Sequence, residues 1–229
     1  MRVPRFYGWV VIATASLVLA VSAGTRFSFG AVLPVMISDR GWTLGAVSGA
    51  SALASIMIGL LQPLVGRLAD RYGPRLVLTV GIAMVGLGTL ATARIGETWQ
   101  LYVTFGVLAG AGFGATLQLT GGVLATRWFS HSRGLAVAIV TSGVAVASFV
   151  IVPLAMWLLV RVGWSGYYLA TGSIILVLIV PMTFLVIRDS PPGVGATMTG
   201  TGKKRPPRLP IATPLPAGVF WNLTFGMLV

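Results

Sequence analysis

One arginine lies inside a long apolar stretch, where a charged side chain is costly. Arg26 belongs to an apolar run that extends to Ile37 and contains no acidic residue. A charge at this depth costs several kcal/mol unless it faces a partner or a water-filled cavity. The guanidinium stays protonated and holds a carboxylate through two parallel hydrogen bonds, which makes an organic anion its natural counter-ion. The alternative is an arginine that snorkels to the outer interface of a membrane.

A second group of charged residues follows the next apolar run. Residues 66–75 read Gly-Arg-Leu-Ala-Asp-Arg-Tyr-Gly-Pro-Arg, with Asp70 as the one acidic residue among three arginines. Glycines in a short loop between two spans permit close helix approach and tight turning. The carboxylate can pair with these arginines or face the positive end of another helix, and so can stabilise one conformation. An ordinary basic loop that happens to contain an aspartate is the alternative.

The fourth apolar run combines small and polar residues. Gly106, Gly110 and Gly114 recur every four residues, which predicts a face for close packing of another helix. Gln118 follows, close to Thr116 and Thr120; these side chains either point into a cavity or make polar contacts between helices. In the second run, similar packing is predicted for a set of small residues, which are Gly45, Gly49, Ser51, Ser55 and Gly59.

Enzyme and metal chemistry has little support in these residues. The chain has no cysteine and no phosphate-binding loop, and its one histidine is His131. The acidic residues all lie in loops or at span ends; they are Asp39, Asp70, Glu97 and Asp189. We therefore expect no enzyme activity, no metal and no cofactor, and any proton-coupled transport would need a titrating acid from elsewhere.

The elements that position these residues are six apolar runs, at about 8–37, 44–65, 76–93, 100–125, 134–160 and 166–187. The chain is 56% hydrophobic and 9% charged, with a mean hydropathy of +0.93, so lipid must be the solvent for most of it. About 20 apolar residues cross a bilayer. Backbone polar groups in hydrocarbon must be satisfied within the segment, and no run alternates like a barrel strand. The predicted fold is therefore an all-α membrane protein with six transmembrane helices.

The net charge of +12 would suggest nucleic-acid binding in a soluble protein. Here the basic residues lie between apolar runs, so we expect topology signals and a lipid bilayer as partner, and no nucleic acid. With a cytoplasmic N-terminus, Arg40, Arg94 and Arg161 lie outside, whereas most of the 16 basic residues lie in the cytoplasm: Arg2, Arg5, Arg67, Arg71, Arg75, Arg127, Arg133, Arg188, Lys203, Lys204, Arg205 and Arg208. We expect an integral protein of a bacterial plasma membrane, with an uncleaved first helix rather than a signal peptide.

Composition changes after the sixth run, which ends the predicted six-helix domain of residues 1–187. Residues 188–217 are rich in proline and contain Lys203, Lys204 and Arg205, which predicts an extended cytoplasmic linker close to anionic lipid. Residues 218–229 are apolar again but too few to cross a bilayer. We therefore expect the chain to end inside a seventh helix.

Segment 66–75 is similar to the signature loop of the major facilitator superfamily. The matching residues are Gly66, Asp70, Arg71, Gly73 and Arg75, whereas Pro74 stands where many members carry a basic residue. In that family the loop locks the outward-open state, and its aspartate engages a helix of the other half of the transporter. The resemblance therefore implies a conformational latch at these five residues rather than a substrate site.

Two further stretches resemble the monocarboxylate and oxalate/formate carriers of that superfamily: residues 6–11 with 26–30, and residues 127–136. The resemblance implies the N-terminal half of a twelve-helix transporter, built as two inverted three-helix repeats, with the C-terminal half missing here. It also implies a small organic anion as substrate, bound by Arg26 and Gln118, with possible coupling to a proton or a counter-anion. The alternatives are an exporter of drugs or other solutes and a non-transporting membrane fragment. The exporter is disfavoured because the fourth span lacks the basic residue that many drug exporters of the superfamily carry near its start.

Overall fold

The computed structural model describes residues 6–118, 124 and 133–188. Regular structure in these residues is entirely helical, as predicted. Five helices are long and apolar enough to cross a membrane by length and composition: Tyr7–Arg40, Leu44–Tyr72, Pro74–Thr92, Thr98–Leu117 and Gly134–Val186. Apart from Arg188, the predicted linker and the predicted start of a seventh helix lie outside the described residues.

We number the helices in chain order. Helices α1, α2 and α3 are Phe6–Arg40, Leu44–Tyr72 and Pro74–Thr92. Helix α4 continues through Thr98–Leu101, Tyr102–Ala109 and Gly110–Gln118, and its middle part has wide π-helical turns. The remaining helical residues are Arg133–Val146, Ala147–Ile151, Val152–Ile174, Ile175–Ile179 and Val180–Val186. Gly163, where φ is 71°, divides them into two helices, α5 (133–162) and α6 (164–186).

Helix α5 runs parallel to α1. The Ser16 hydroxyl donates a hydrogen bond to the carbonyl of Ile139 over 3.1 Å. Two turns further along α1, Gly24 packs against the side chain of Ile151, which is also further along α5. Both helices therefore advance in the same direction along their contact.

Helix α6 runs in the opposite direction. Its first residue, Trp164, donates an indole hydrogen bond of 2.8 Å to Asp39, near the C-terminus of α1. Its last residue, Val186, accepts a hydrogen bond of 2.8 Å from the hydroxyl of Tyr7, near the start of α1. The chain therefore reverses at Gly163, whose positive φ suits a residue without a Cβ. We call the end of the bundle with Tyr7 the near end and the end with Asp39 the far end.

The glycine face predicted on α4 is confirmed, and it packs against α2. A Cβ added to Gly110 would lie 2.9 Å from the Cα of Ala54, and one added to Gly114 would lie 3.3 Å from the Cα of Ile58. Gly106 meets Ala50 and Leu53 in the same way. Small residues thus bring two helix backbones together where larger ones would clash. Residue 50 meets residue 106, residue 54 meets residue 110 and residue 58 meets residue 114. Because the numbers rise together on both helices, α2 and α4 run parallel.

Two further contacts complete the bundle. Helix α1 crosses α4 through a stacked ring pair, Phe29 and Phe105, whose centroids are 4.2 Å apart. Helix α3 lies against α6, where a Cβ added to Gly172 would meet the backbone of Leu90 at 2.7 Å. Helices α2 and α5 keep large exposed faces, whereas one side of each is buried.

Helix ends differ from the predicted span limits, most clearly at the end of α2. The predicted span stopped at residue 65, but the helix continues to Tyr72. Its 29 residues extend about 43 Å, which matches a bilayer with its headgroups rather than the apolar core of about 30 Å. Hydropathy records only the part in hydrocarbon, so it cannot locate the end of a helix that continues into the headgroup layer.

Candidate functional site

Arg26 lies near the middle of α1, about 5 Å along the helix from its central residue, Ala23. Its side chain is partly buried, and Nη2 donates a hydrogen bond of 3.2 Å to the hydroxyl of Ser55. Ser55 is likewise near the middle of α2. Its hydroxyl proton is used in a bond of 3.1 Å to the carbonyl of Ser51, so its oxygen is free to accept from Arg26. The arginine is therefore oriented by a neighbouring helix at mid-depth.

No acidic side chain neutralises Arg26 within the described ranges. The one ion pair found there joins neighbours Asp39 and Arg40 at the far end, about 20 Å along α1 from Arg26. A guanidinium carries five N–H donors, and the bond to Ser55 uses one of them. The cation thus retains donors in the fork geometry that suits a carboxylate.

The surroundings of Arg26 are open on one side. Gly30, one turn along α1, and Gly59, one turn along α2 from Ser55, would each accept a Cβ that meets no atom of the described residues within 4 Å. Phe27 beside them is 44% exposed. The prediction that Ser55 and Gly59 serve close helix packing is therefore wrong for the part of the chain that the structure describes: Ser55 binds Arg26, and no described atom lies close to Gly59. Their small size leaves room beside the guanidinium.

Gln118 is the last residue of the described part of α4, and its side chain lies outside the described features, as does Thr120. Thr116, two residues earlier, is fully buried. Its hydroxyl lies 2.6 Å from the hydroxyl of Ser22 on α1, so it makes the polar helix contact that was one of the two alternatives. The role of Gln118 in substrate binding stays a prediction.

The predicted latch segment is helical rather than a loop, which corrects the prediction for residues 66–75. Gly66, Asp70 and Arg71 lie within the last two turns of α2. Gly73 alone is non-helical, with φ 86° and ψ 150°, and Pro74 opens α3 at its first position. A glycine with positive φ permits a one-residue turn, and proline suits the first position of a helix because its missing N–H would be unpaired there.

The five predicted latch residues do not form one cluster. Asp70 is exposed, and Gly66 is one turn before it on the same face, with no atom within 4 Å of an added Cβ. Close helix approach at Gly66 is thus not seen among the described residues. Arg75 instead contacts α6. Its Nε donates a hydrogen bond of 2.9 Å to the carbonyl of Phe184, and its guanidinium lies 4.3 Å from the centroid of the Phe184 ring. The guanidinium of Arg71 lies 5.3 Å from the ring of Tyr72.

A polar cluster at the far end was not predicted from the sequence. The indole of Trp164 donates a hydrogen bond to Asp39, and the guanidinium of Arg40 lies 5.2 Å from the centroid of the Trp164 ring. The hydroxyl of Ser165 donates a hydrogen bond of 2.6 Å to the carbonyl of Ala93. It ties the end of α1 and the end of α3 to the start of α6. The contacts join residues 72 and 125 positions apart, and none of these residues belongs to a recognisable local motif. Their pairing therefore becomes visible only in the fold.

Comparison with known proteins places this architecture in a family. Residues 15–229 match the model of the Major Facilitator Superfamily. The chain is 32% identical to Monocarboxylate transporter 11 of Mus musculus over 170 residues, 74% of this chain and 38% of the relative. It is 31% identical to Monocarboxylate transporter 13 of Rattus norvegicus over 176 residues, 76% of this chain and 40% of the relative.

A bacterial relative is also similar. The chain is 29% identical to the Oxalate:formate antiporter of Oxalobacter formigenes over 178 residues, 78% of this chain and 42% of the relative. The chain spans about two fifths of the length of the curated relatives it matches. Its apolar helices and this similarity identify an integral membrane protein, and the chain belongs to the Major Facilitator Superfamily.

Proposed function

We propose that the complete protein is a secondary transporter that moves a small organic anion, in the first instance a monocarboxylate, by alternating access. The observation that carries the proposal is Arg26, a cation at mid-depth in α1 with Ser55 as its hydrogen-bond partner and no acid beside it among the described residues. The matched transporters, whose names include monocarboxylates, oxalate and formate, support the same class of substrate.

The chemistry of binding follows from the environment of the guanidinium. At an intermediate effective dielectric constant of about 20, a unit charge pair at 4 Å gains about 4 kcal/mol, compared with about 1 kcal/mol in bulk water. A carboxylate that enters the space beside Gly30 and Gly59 would meet donors already oriented by Ser55. Binding therefore removes an unpaired charge, and the substrate is released when the site opens to water.

The described helices fit the N-terminal half of a twelve-helix carrier, with α1 to α6 as six spans. In two inverted three-helix repeats, α1 corresponds to α4, α2 to α5 and α3 to α6. The packing supports this relation, because α1 lies parallel against α5 as α4 lies parallel against α2. The C-terminal half would then cover the open face around Arg26, with α1 and α4 lining the path.

Charge distribution supports a cytoplasmic near end. Arg67, Arg71 and Arg75 lie at that end, and Arg188 follows α6 there, whereas the far end has Arg40, Arg94 and Arg161. Cytoplasmic loops carry the excess of basic residues. A bacterial plasma membrane stays a prediction, because the matched relatives include both mammalian and bacterial proteins.

Asp70 and Gly66 are proposed as the latch that holds one conformation. Asp70 is exposed at the near end, and the same face of α2 is open at Gly66. A helix N-terminus from the other half would bring its positive end to this carboxylate. Coupling to a proton would draw its titrating acid from the other half, because the described acids Asp39, Asp70 and Glu97 all lie at or beyond helix ends.

Uptake of radiolabelled monocarboxylates by cells that produce the complete protein tests the proposal. We expect Arg26→Ala to abolish uptake and Arg26→Lys to retain part of it, because lysine keeps the charge without the fork. Arg94→Ala at the exposed far end is the matched control and should transport normally. Unchanged uptake in both Arg26 variants would reject the role of this residue, and anion-independent efflux of hydrophobic solutes would favour an exporter.

A further inference from the structure

An apolar groove lies on the surface of the bundle between α2 and α3, close to the near end. Leu64, Leu68 and Tyr72 form its wall on α2, and its volume is about 440 Å³. Leu76 and Val80 belong to the wall on α3, and Ala111 and Ala115 of α4 form the floor. We call it the α2–α3 groove.

The groove faces away from the proposed transport path. Leu64 is nine residues from Ser55, which places the two side chains about 180° apart around α2. Tyr72 and Asp70 are about 160° apart on the same basis. The groove therefore lies on the outer surface of the bundle, where hydrocarbon chains of the bilayer are the surrounding solvent, and not on the face with Arg26 or the latch.

The groove extends from the near headgroup layer into the adjoining leaflet. From Leu61 to Tyr72, the wall on α2 extends about 16 Å, of which about 6 Å lies in the headgroup layer and about 10 Å in hydrocarbon. It begins at the near end, where Tyr72 closes α2. The upper part of a single acyl chain that enters from the near headgroup layer would thus fill the groove down to Leu61, about 5 Å short of the middle of α2.

Arg71 stands at its mouth, and Arg67 lies one turn deeper on the neighbouring face of α2. Arg67 and Arg71 are one turn apart on α2, both are exposed, and Arg71 continues the line of Leu64 and Leu68 along the helix. The Arg71 guanidinium lies over the ring of Tyr72, which lines the groove. Like charges at this spacing repel each other. Neither arginine has an ion pair with any acid that the structure describes.

We propose that the α2–α3 groove binds an anionic phospholipid of the near leaflet, with one acyl chain in the groove and the phosphate between Arg67 and Arg71. Arginine holds phosphate through charge-assisted hydrogen bonds, and the phosphate relieves the repulsion between the two cations. The proposal requires only that the helices lie in a bilayer. It stands or falls independently of carboxylate transport.

The test uses the complete protein, reconstituted in phosphatidylcholine vesicles that contain a small fraction of phosphatidylglycerol with a photoactivatable diazirine on one acyl chain. After illumination, cross-linked peptides are mapped by mass spectrometry. We expect labels in residues 61–84, and a loss of labelling of about fivefold for each of Arg67→Gln and Arg71→Gln, from the usual contribution of one basic residue near an anionic surface. Free glycerol phosphate should not compete.

Matched controls keep the result specific. Arg94→Gln and Arg161→Gln remove exposed far-end arginines and should not change labelling. Ala111→Phe fills the floor and should abolish it, whereas Val177→Phe, at a 76% exposed site outside the groove, should not. If Ala111→Phe does not fold, Val80→Trp fills the same groove from its rim. Equal labelling by a phosphatidylcholine probe, unchanged labelling in both arginine variants, or labels spread over the whole perimeter would each overturn the proposal.

Discussion

Ser55→Asp places a carboxylate beside Arg26, where the proposed substrate would bind. The Nη2 atom lies 3.2 Å from the Ser55 hydroxyl oxygen, so an aspartate at this position reaches the guanidinium directly. A charge pair at about 4 Å gains about 4 kcal/mol at an intermediate dielectric, and the partial exposure of Arg26 reduces this to about 2 kcal/mol. An external carboxylate must compete with that internal one. Its apparent affinity should therefore fall by about thirtyfold.

The assay is uptake of a labelled monocarboxylate over a range of concentrations, with Ser55→Asn as the neutral control of equal size. We expect Ser55→Asp to raise the half-saturating concentration by at least about tenfold and Ser55→Asn to change it little. Thermal unfolding of the purified protein should show Ser55→Asp to be the more stable variant, since it pairs a charge that is otherwise unpaired. Equal transport by both variants would refute the idea that the substrate carboxylate binds at Arg26.

Three further predictions concern the latch, the packing and the far end. Asp70→Asn should reduce uptake by about tenfold while carboxylate binding is retained, because a latch changes the equilibrium between conformations and does not contact the substrate. Loss of both uptake and carboxylate binding would contradict this. Gly110→Ala should destabilise the protein by about 1–3 kcal/mol through a clash with α2, whereas Gly45→Ala, where space is open, should be neutral or stabilising in thermal unfolding. Trp164→Phe removes the bond to Asp39 and should cost about 1 kcal/mol; an unchanged melting temperature would show that this contact contributes nothing.

The helical fold was predictable because a bilayer leaves few choices for an apolar run of about 20 residues. The glycine face at 106, 110 and 114 was predictable for a related reason, since a four-residue spacing defines one face of any helix. Helix ends were not predictable, because α2 continues into the headgroup layer until Gly73, where hydropathy has no signal.

Only one residue of the candidate site was predictable from the sequence. A charge in an apolar run singled out Arg26 without knowledge of its neighbours. Its partner Ser55 depends on how α1 and α2 are rotated about their axes, which no local pattern in either helix specifies. The same holds for Arg75, which binds the carbonyl of Phe184, 109 residues away.

The most direct test of the central proposal is equilibrium binding of a labelled monocarboxylate to the purified complete protein. Wild type and Arg26→Gln should be compared, with the neutral amide of the same acid as competitor. We expect Arg26→Gln to bind at least about tenfold more weakly, and the amide not to compete with the acid on the wild-type protein. Equal affinity of the two proteins for the carboxylate, or effective competition by the amide, would contradict a carboxylate site at Arg26.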